Sequence, residues 1–213
     1  MIQLLINGLA MGCIYALVAL GFLLIYQAVG ALNFAQGDML MLGAFLGVMF
    51  SATFGLPLLL AFAATILAMA AFGLFFQLIA YQPLRGKPFL TVIISTIGVG
   101  IALRNAAQLQ WGALPLSLPS LVGSSPIDIA GNVILPQHLF IIGVTILLLV
   151  GQYLFFTRTM LGRMMQATAQ DPDAARLMGI PVTRCIIWTF VISSVMAGIA
   201  GLKSSKAGCV WPA

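Results

Sequence analysis

The 213 residues are 62% apolar and 6% charged, against about 25% charged in an ordinary soluble domain. Such a chain cannot coat a water-facing surface, and its apolar runs of about 20 residues suit membrane-spanning helices rather than barrel strands. The net charge of +5 lies mostly in a few connecting loops, which argues for orientation signals and against nucleic-acid binding.

The hydropathy pattern predicts an all-α, polytopic transmembrane bundle of about six spans. They fall near residues 3–27, 38–54, 57–80, 90–110, 138–157 and 185–202. The N-terminus has no basic region and no small-residue cleavage site, so the first run is expected to stay in the protein. In that run Gly8, Gly12 and Ala16 stand four apart, and the second span repeats the device with Gly43 and Gly47. Such stripes let helix backbones approach closely where lipid supplies no hydrophobic drive.

Between these two spans the chain reads ALNFAQGDML, residues 31–40, with Asn33, Gln36 and Asp38 in an otherwise apolar stretch. No other acid occurs before Asp128. An ionised Asp at mid-membrane costs roughly 3 kcal/mol, so something must offset Asp38.

The loop QPLRGKP, residues 82–88, carries Arg85 and Lys87, and residues 158–184 carry four arginines against Asp171 and Asp173. Residues 111–137 hold no Lys or Arg and one acid, Asp128. The basic loops are therefore placed in the cytoplasm and the 111–137 loop outside. Counting back puts the N-terminus outside and ALNFAQGD at the cytoplasmic end of the first hairpin. In the fourth span Thr96, Gly100, Arg104 and Gln108 share one helical face. Arg104 has two readings there, snorkelling to headgroups or facing a translocation path.

Catalytic constellations are missing. The chain has no phosphate-binding G-x-x-x-x-G-K-[ST], no Glu and a single His, His138, at the start of an apolar run where an interfacial role fits. Cys13, Cys185 and Cys209 are widely spaced, without a disulfide framework or metal-ligand pattern. Neither an enzymatic role nor a cofactor is expected.

The long basic loop is more informative. In RMMQATAQDPDAARLMGIPVTR, residues 163–184, Asp171 suits an N-cap, Pro172 the first helical position and Asp173 the first turn. Gly179 suits the position just past the helix end, and Pro181 prevents resumption. This predicts a two-turn helix over 172–178 presenting Ala174, Ala175, Leu177 and Met178. It reads either as an interfacial surface helix or as a rigid knob for a soluble partner's cleft.

D-A-A-x-x-x-G at 173–179 resembles the EAA-type coupling loop of ABC-importer permeases, with Asp173 in place of the usual Glu. Residues 7–45 resemble the N-terminal signature of the LivH/LivM class, permeases of high-affinity branched-chain amino-acid transport. Asn33, Phe34, Ala35 and Gly37 match that family's Asn-Phe-Ala-His-Gly-Glu stretch, while Gln36 and Asp38 depart from it. PLRGKP, STIGVG and QLQWG are also familiar, so the resemblance covers about residues 5–202.

The resemblance implies a helix broken within the bundle near residues 30–38. Gly30 and Gly37 would permit the break, Asn33 and Gln36 would satisfy freed backbone groups, and Asp38 would cap the next helix. It implies a homologous permease partner, two cytoplasmic ATPases, an external substrate-binding protein and a place in the bacterial inner membrane. Coupling to the ATPase would fall to Asp171, Pro172, Asp173, Ala174, Ala175, Leu177, Met178 and Gly179. The candidate substrate path comprises Asn33, Gln36, Asp38, Thr96, Arg104 and Gln108, each open to a purely structural reading.

Other readings are a permease for urea or short amides, and a passive channel with ALNFAQGD as its filter. The division expected is a permease domain over 1–202, including the loop 158–184, and an atypical polar tail over 203–213. The turn from MAGIAG to LKSSKAGCVWPA reads as a truncation or frameshift, leaving open a remnant that does not transport.

Overall fold

The computed structural model describes residues 2–30, 32–55, 57–84, 87–112, 127–129, 132–134 and 136–206. Eight helices run in chain order: α1 (Ile2–Val29), α2 (Gln36–Val48), α3 (Leu58–Phe76), α4 (Phe89–Trp111), α5 (Pro136–Arg158), α6 (Met160–Gln170), α7 (Pro172–Leu177) and α8 (Val182–Lys206). The predicted helical bundle is therefore what forms. Its one addition is a hairpin in the 111–137 loop, β1 (Ile127–Ile129) pairing antiparallel with β2 (Asn132–Ile134). Residues 85–86, 113–126, 130–131, 135 and 207–213 lie outside the described residues, as does the side chain of His138. Helix α8 continues through the first part of the expected tail, to Lys206.

Among the described residues, four helices are long and apolar enough to cross a membrane: Asn7–Val29, Leu59–Leu84, Leu90–Gln110 and Val182–Leu202. The pair Ile142–Arg158 and Met160–Gln170, bent by 80°, makes a fifth. The bend is built from Thr159, whose hydroxyl accepts from Gly162 N at 3.0 Å and donates to the Phe155 carbonyl at 2.6 Å. Gly162 is required there, because a Cβ would lie 2.4 Å from Phe155 O.

The second expected span, near 38–54, forms as α2 and a π-helical turn over Met49–Thr53, short of a full crossing, and its position explains why. Helix α8 forms the centre of the bundle, packed against α1, α2 and α3. Gln36 meets Ser193, Gly43 meets Gly198 and Gly47 meets Leu202, so α2 runs parallel to α8. Ser193 lies midway along the 25-residue α8. Helix α2 therefore starts near mid-depth, and residues 32–35 lead into it from within the bundle, α1 having ended at Val29 before Gly30, whose φ is 69°. The expectation that this stretch sits at the cytoplasmic end of the first hairpin is corrected: Asn33 to Asp38 lie within the bundle, at the level of the middle of α8.

The small-residue stripes divide. Gly43 and Gly47 pack on α8 as expected, whereas Gly8 and Gly12 have nothing within 4 Å of an added Cβ. The α1 stripe thus faces away from the bundle. The orientation carries a direct test. In a background lacking native cysteine, Lys87→Cys and Leu177→Cys are expected to react with an impermeant thiol reagent only from the cytoplasmic side, and Ser124→Cys only from outside. External labelling at position 177 would overturn the topology.

Candidate functional site: the broken helix and the cytoplasmic knob

The break is held by the polar residues that the sequence displays, though not all in the expected roles. Asn33 Oδ1 accepts from Ala35 N at 3.1 Å, an Asx-type turn across the break. Gln36 N donates to the Asn33 carbonyl at 3.3 Å, and Phe34 N reaches Thr96 Oγ1 on α4 at 3.4 Å. Gln36 is buried against α8, its Nε2 donating to the Ser193 carbonyl at 3.5 Å. Ser193 Oγ donates to the Gly21 carbonyl on α1 at 2.7 Å and lies 3.2 Å from Gln36 Oε1. Gly21 makes room for this junction, since a Cβ there would lie 2.6 Å from Gln36 Nε2. Sequence reasoning missed Ser193 and Gly21. Their signal, a hydroxyl and a glycine inside apolar runs, is common to many helix-packing positions.

Asp38 does not cap α2. The N-cap position is Ala35, without a side-chain bond, and Asp38 stands in the first turn, where a negative charge suits the helix dipole. Its partner is Arg104, whose Nε lies 2.5 Å from Asp38 Oδ1. The expected cost of a buried acid is thus offset by a cation 66 residues away in the chain. The carboxylate also presses on α4 where Gly100 has no side chain, for a Cβ there would lie 2.4 Å from Asp38 Oδ2. Arg104 therefore turns toward the break rather than snorkelling alone. Its side chain remains 53% exposed while that of Asp38 is 6% exposed.

The face Thr96–Gly100–Arg104–Gln108 is accordingly the face that meets the break. Thr96 is buried at its inner end, and Gln108 is exposed one turn beyond Arg104. Behind the break a small cavity of ≈ 10 Å³, room for about one water molecule, is lined by Asn33, Thr96, Tyr81 and Phe190 among others. Asn33 Nδ2 is buried without a partner among the described residues.

The loop that carries α7 folds as its caps predict. Asp171 Oδ1 accepts from Asp173 N at 2.9 Å and Ala174 N at 3.0 Å, with Pro172 in the first turn of α7. At the other end Gly179 adopts φ 79°. Gly179 N donates to the Arg176 carbonyl and Ile180 N to the Ala175 carbonyl, each at 3.0 Å, which is the Schellman closure. Asp173 also pairs with Arg176 at 3.0 Å in an exposed contact worth little on its own.

Leu177 and Met178 are 91% and 82% exposed, two large apolar side chains held out on a rigid stub. Ala174 is exposed as expected, but Ala175 is not, at 4%. It turns inward because a helix this short, tied at both ends, must rest one face on the base of α8. There Ala175 joins the core formed by Val182, Ile186, Phe190, Ala35 and Met39.

A protein family described as the permease component of a branched-chain amino acid transport system matches residues 4–206. The chain belongs to this permease family. It is 38% identical to BraD of Pseudomonas aeruginosa, named a high-affinity branched-chain amino acid transport permease, over 94% of this chain and 69% of that one. LivH of Salmonella typhimurium is 34% identical and LivH of Escherichia coli 33%, over the same shares. No solved structure matches the chain. The family and the apolar helices together make this an integral membrane transport protein. With that family established, α7 stands at the place in the chain where its coupling loop was expected. The partly buried charges lie where the bundle is least regular, as intramembrane ionisable groups with functions usually do.

Proposed function

We propose that this chain is one membrane subunit of an ATP-driven importer carrying branched-chain amino acids across the bacterial inner membrane. It pairs with a homologous permease, rests on two cytoplasmic ATPases through α7 and its counterpart, and receives substrate from an external binding protein. The observation that carries this reading is the doubly capped α7. Helices this short are unstable in water without caps, and a solvated loop has no use for two large exposed apolar side chains on a rigid stub. A cleft on a soluble partner uses both.

The mechanism that fits is alternating access. Closure of the ATPases displaces α7, and Ala175 links α7 through Ile186 and Phe190 to the packing around Ala35 and Met39. Such contiguity gives coupling a physical route, and a demonstrated two-state change at the break is what would prove it. Substrate is assigned to the seam between the break and α4, with Asn33, Gln36, Asp38, Thr96, Arg104 and Gln108 along it. ATP is hydrolysed by the partner subunits, and this chain supplies no nucleotide site.

The test is reconstitution of the chain with its permease, ATPase and binding-protein partners in proteoliposomes. Leucine together with the binding protein is expected to stimulate ATP hydrolysis and drive leucine uptake. An assembled complex that hydrolyses ATP without responding to leucine, isoleucine or valine would overturn the substrate, and failure to retain the ATPase would overturn the role.

A further inference from the structure

The Asp38–Arg104 pair is an unusual structural ion pair, because half of it is left unused. Arginine has five N–H donors in a planar fork, and Arg104 commits one, its Nε, to Asp38. Neither terminal nitrogen of its guanidinium has a partner among the described residues. The side chain is 53% exposed although it stands on a membrane-spanning helix. A guanidinium so placed faces protein or a water-lined cavity rather than hydrocarbon. Lysine would neutralise Asp38 as well, but its ammonium lacks the fork that binds a carboxylate through two parallel bonds.

Position sharpens this. Asp38 stands in the first turn of α2, near mid-depth, and Arg104 lies past the midpoint of the 23-residue α4, toward its outer end. Gln108 is exposed one turn further out, and Thr96 and Asn33 are buried further in. Gln108, Arg104 and Thr96 thus follow one another along α4 from its outer end to the break. Gly100 lets the Asp38 carboxylate seat against the α4 backbone.

We infer that Arg104 binds the α-carboxylate of the transported amino acid, and that Asp38 is a positioning residue that holds the guanidinium through Nε. This rests on the reading of the chain as an amino-acid permease. A zwitterion adds no net charge to the neutral pair, so it enters without leaving an uncompensated ion in the bundle. An anion or a cation of the same size lacks that advantage. The apolar substrate side chain needs no polar partner.

A purely structural ion pair and a substrate-binding one separate in a double substitution. Removing both charges relieves a structural pair of its unpaired partner, whereas it removes a binding site altogether. Leucine uptake, membrane abundance and ATPase retention are measured in the fully reconstituted importer for wild type, Arg104→Gln, Asp38→Asn, the double variant and Arg104→Lys. The double variant is expected to match wild type in abundance and ATPase retention but to lose leucine uptake by about tenfold or more, the worth of a charge-assisted bond pair. Arg104→Lys, which keeps the charge and loses the fork, is expected to fall similarly, with Asp38 still paired.

Double-variant uptake within about twofold of wild type overturns the inference, since loss of a bond pair to a charged group costs more. If the double variant does not assemble, the same threshold applied to Arg104→Lys decides. Absence of leucine uptake by wild type instead rejects the proposed substrate, and the two failures are told apart by that first measurement.

Discussion

Leu177→Asp combined with Met178→Asp is expected to abolish uptake and to release the ATPase during purification, while permease abundance in the membrane stays at the wild-type level. Both side chains are almost fully exposed and touch nothing that holds the bundle together. Their replacement leaves intact the Asp171 cap and the Gly179 closure that shape α7. What changes is the surface offered to a partner. Two buried apolar anchors contribute about 1.5–3 kcal/mol each when they fill a pocket, and two carboxylates carried into that pocket oppose docking further. Ala174→Ser serves as the control, since it alters the same exposed helix without removing an anchor. Ala175 is the wrong position for such a test: it is buried against α8, so a large side chain there damages the permease itself. Retention of the ATPase and of uptake by the double aspartate variant would reject the docking role of α7.

Why α7 could be read from sequence while its orientation could not follows from the range of the forces involved. Asp171, Pro172 and Gly179 act on backbone groups within three residues, so the caps fix the helix without reference to the rest of the chain. Which face of a six-residue helix turns inward depends on α8, and Ala174 and Ala175 are indistinguishable locally. The spans were legible for a related reason, because hydrocarbon thickness dictates run length whatever the neighbours are.

The glycine stripes were half legible. Gly8-Gly12-Ala16 and Gly43-Gly47 present the same small-residue pattern, but only the second meets another helix within the described residues. Spacing shows that close approach is possible and says nothing of what approaches. At the break, Asn33 and Asp38 are both good capping residues. Starting α2 at Gln36 gives the local turn to Asn33 and leaves Asp38 to find a distant cation. A shift of three residues in the predicted helix start changes the chemistry assigned to the acid. Arg104 was placed on the right helical face, yet nothing in its own neighbourhood names Asp38 as its partner.

The crossing of α2 and α8 yields the largest expected effect on assembly. Gly201→Val is expected to reduce membrane abundance severely and, in whatever is recovered, to lower the thermal midpoint in detergent. A Cβ at Gly201 would lie 2.0 Å from the Leu40 carbonyl oxygen and 2.9 Å from Ala44 N. Facing it, a Cβ at Gly43 would lie 2.4 Å from Gly198 Cα. These neighbours are backbone atoms, so no side-chain rotation relieves the clash and the helices must separate. Overpacking of this kind typically costs about 1–3 kcal/mol where side chains can adjust, and a rigid backbone neighbour places this case at or above the upper end. Separation would also draw Gln36 away from Ser193, opening the junction that holds the break closed. Gly8→Val is the matched control, a glycine in the same kind of apolar helix with nothing within 4 Å. Gly8→Ala and Gly201→Ala form a milder pair in which β-branching is removed as a cause. In water alanine favours a helix over glycine by about 1 kcal/mol, so Gly8→Ala is expected to be neutral or stabilising while Gly201→Ala still destabilises. Equal abundance and equal midpoints for Gly201→Ala and Gly8→Ala would show that α2 and α8 do not cross in backbone contact, and the mid-depth start of α2 would lose its support.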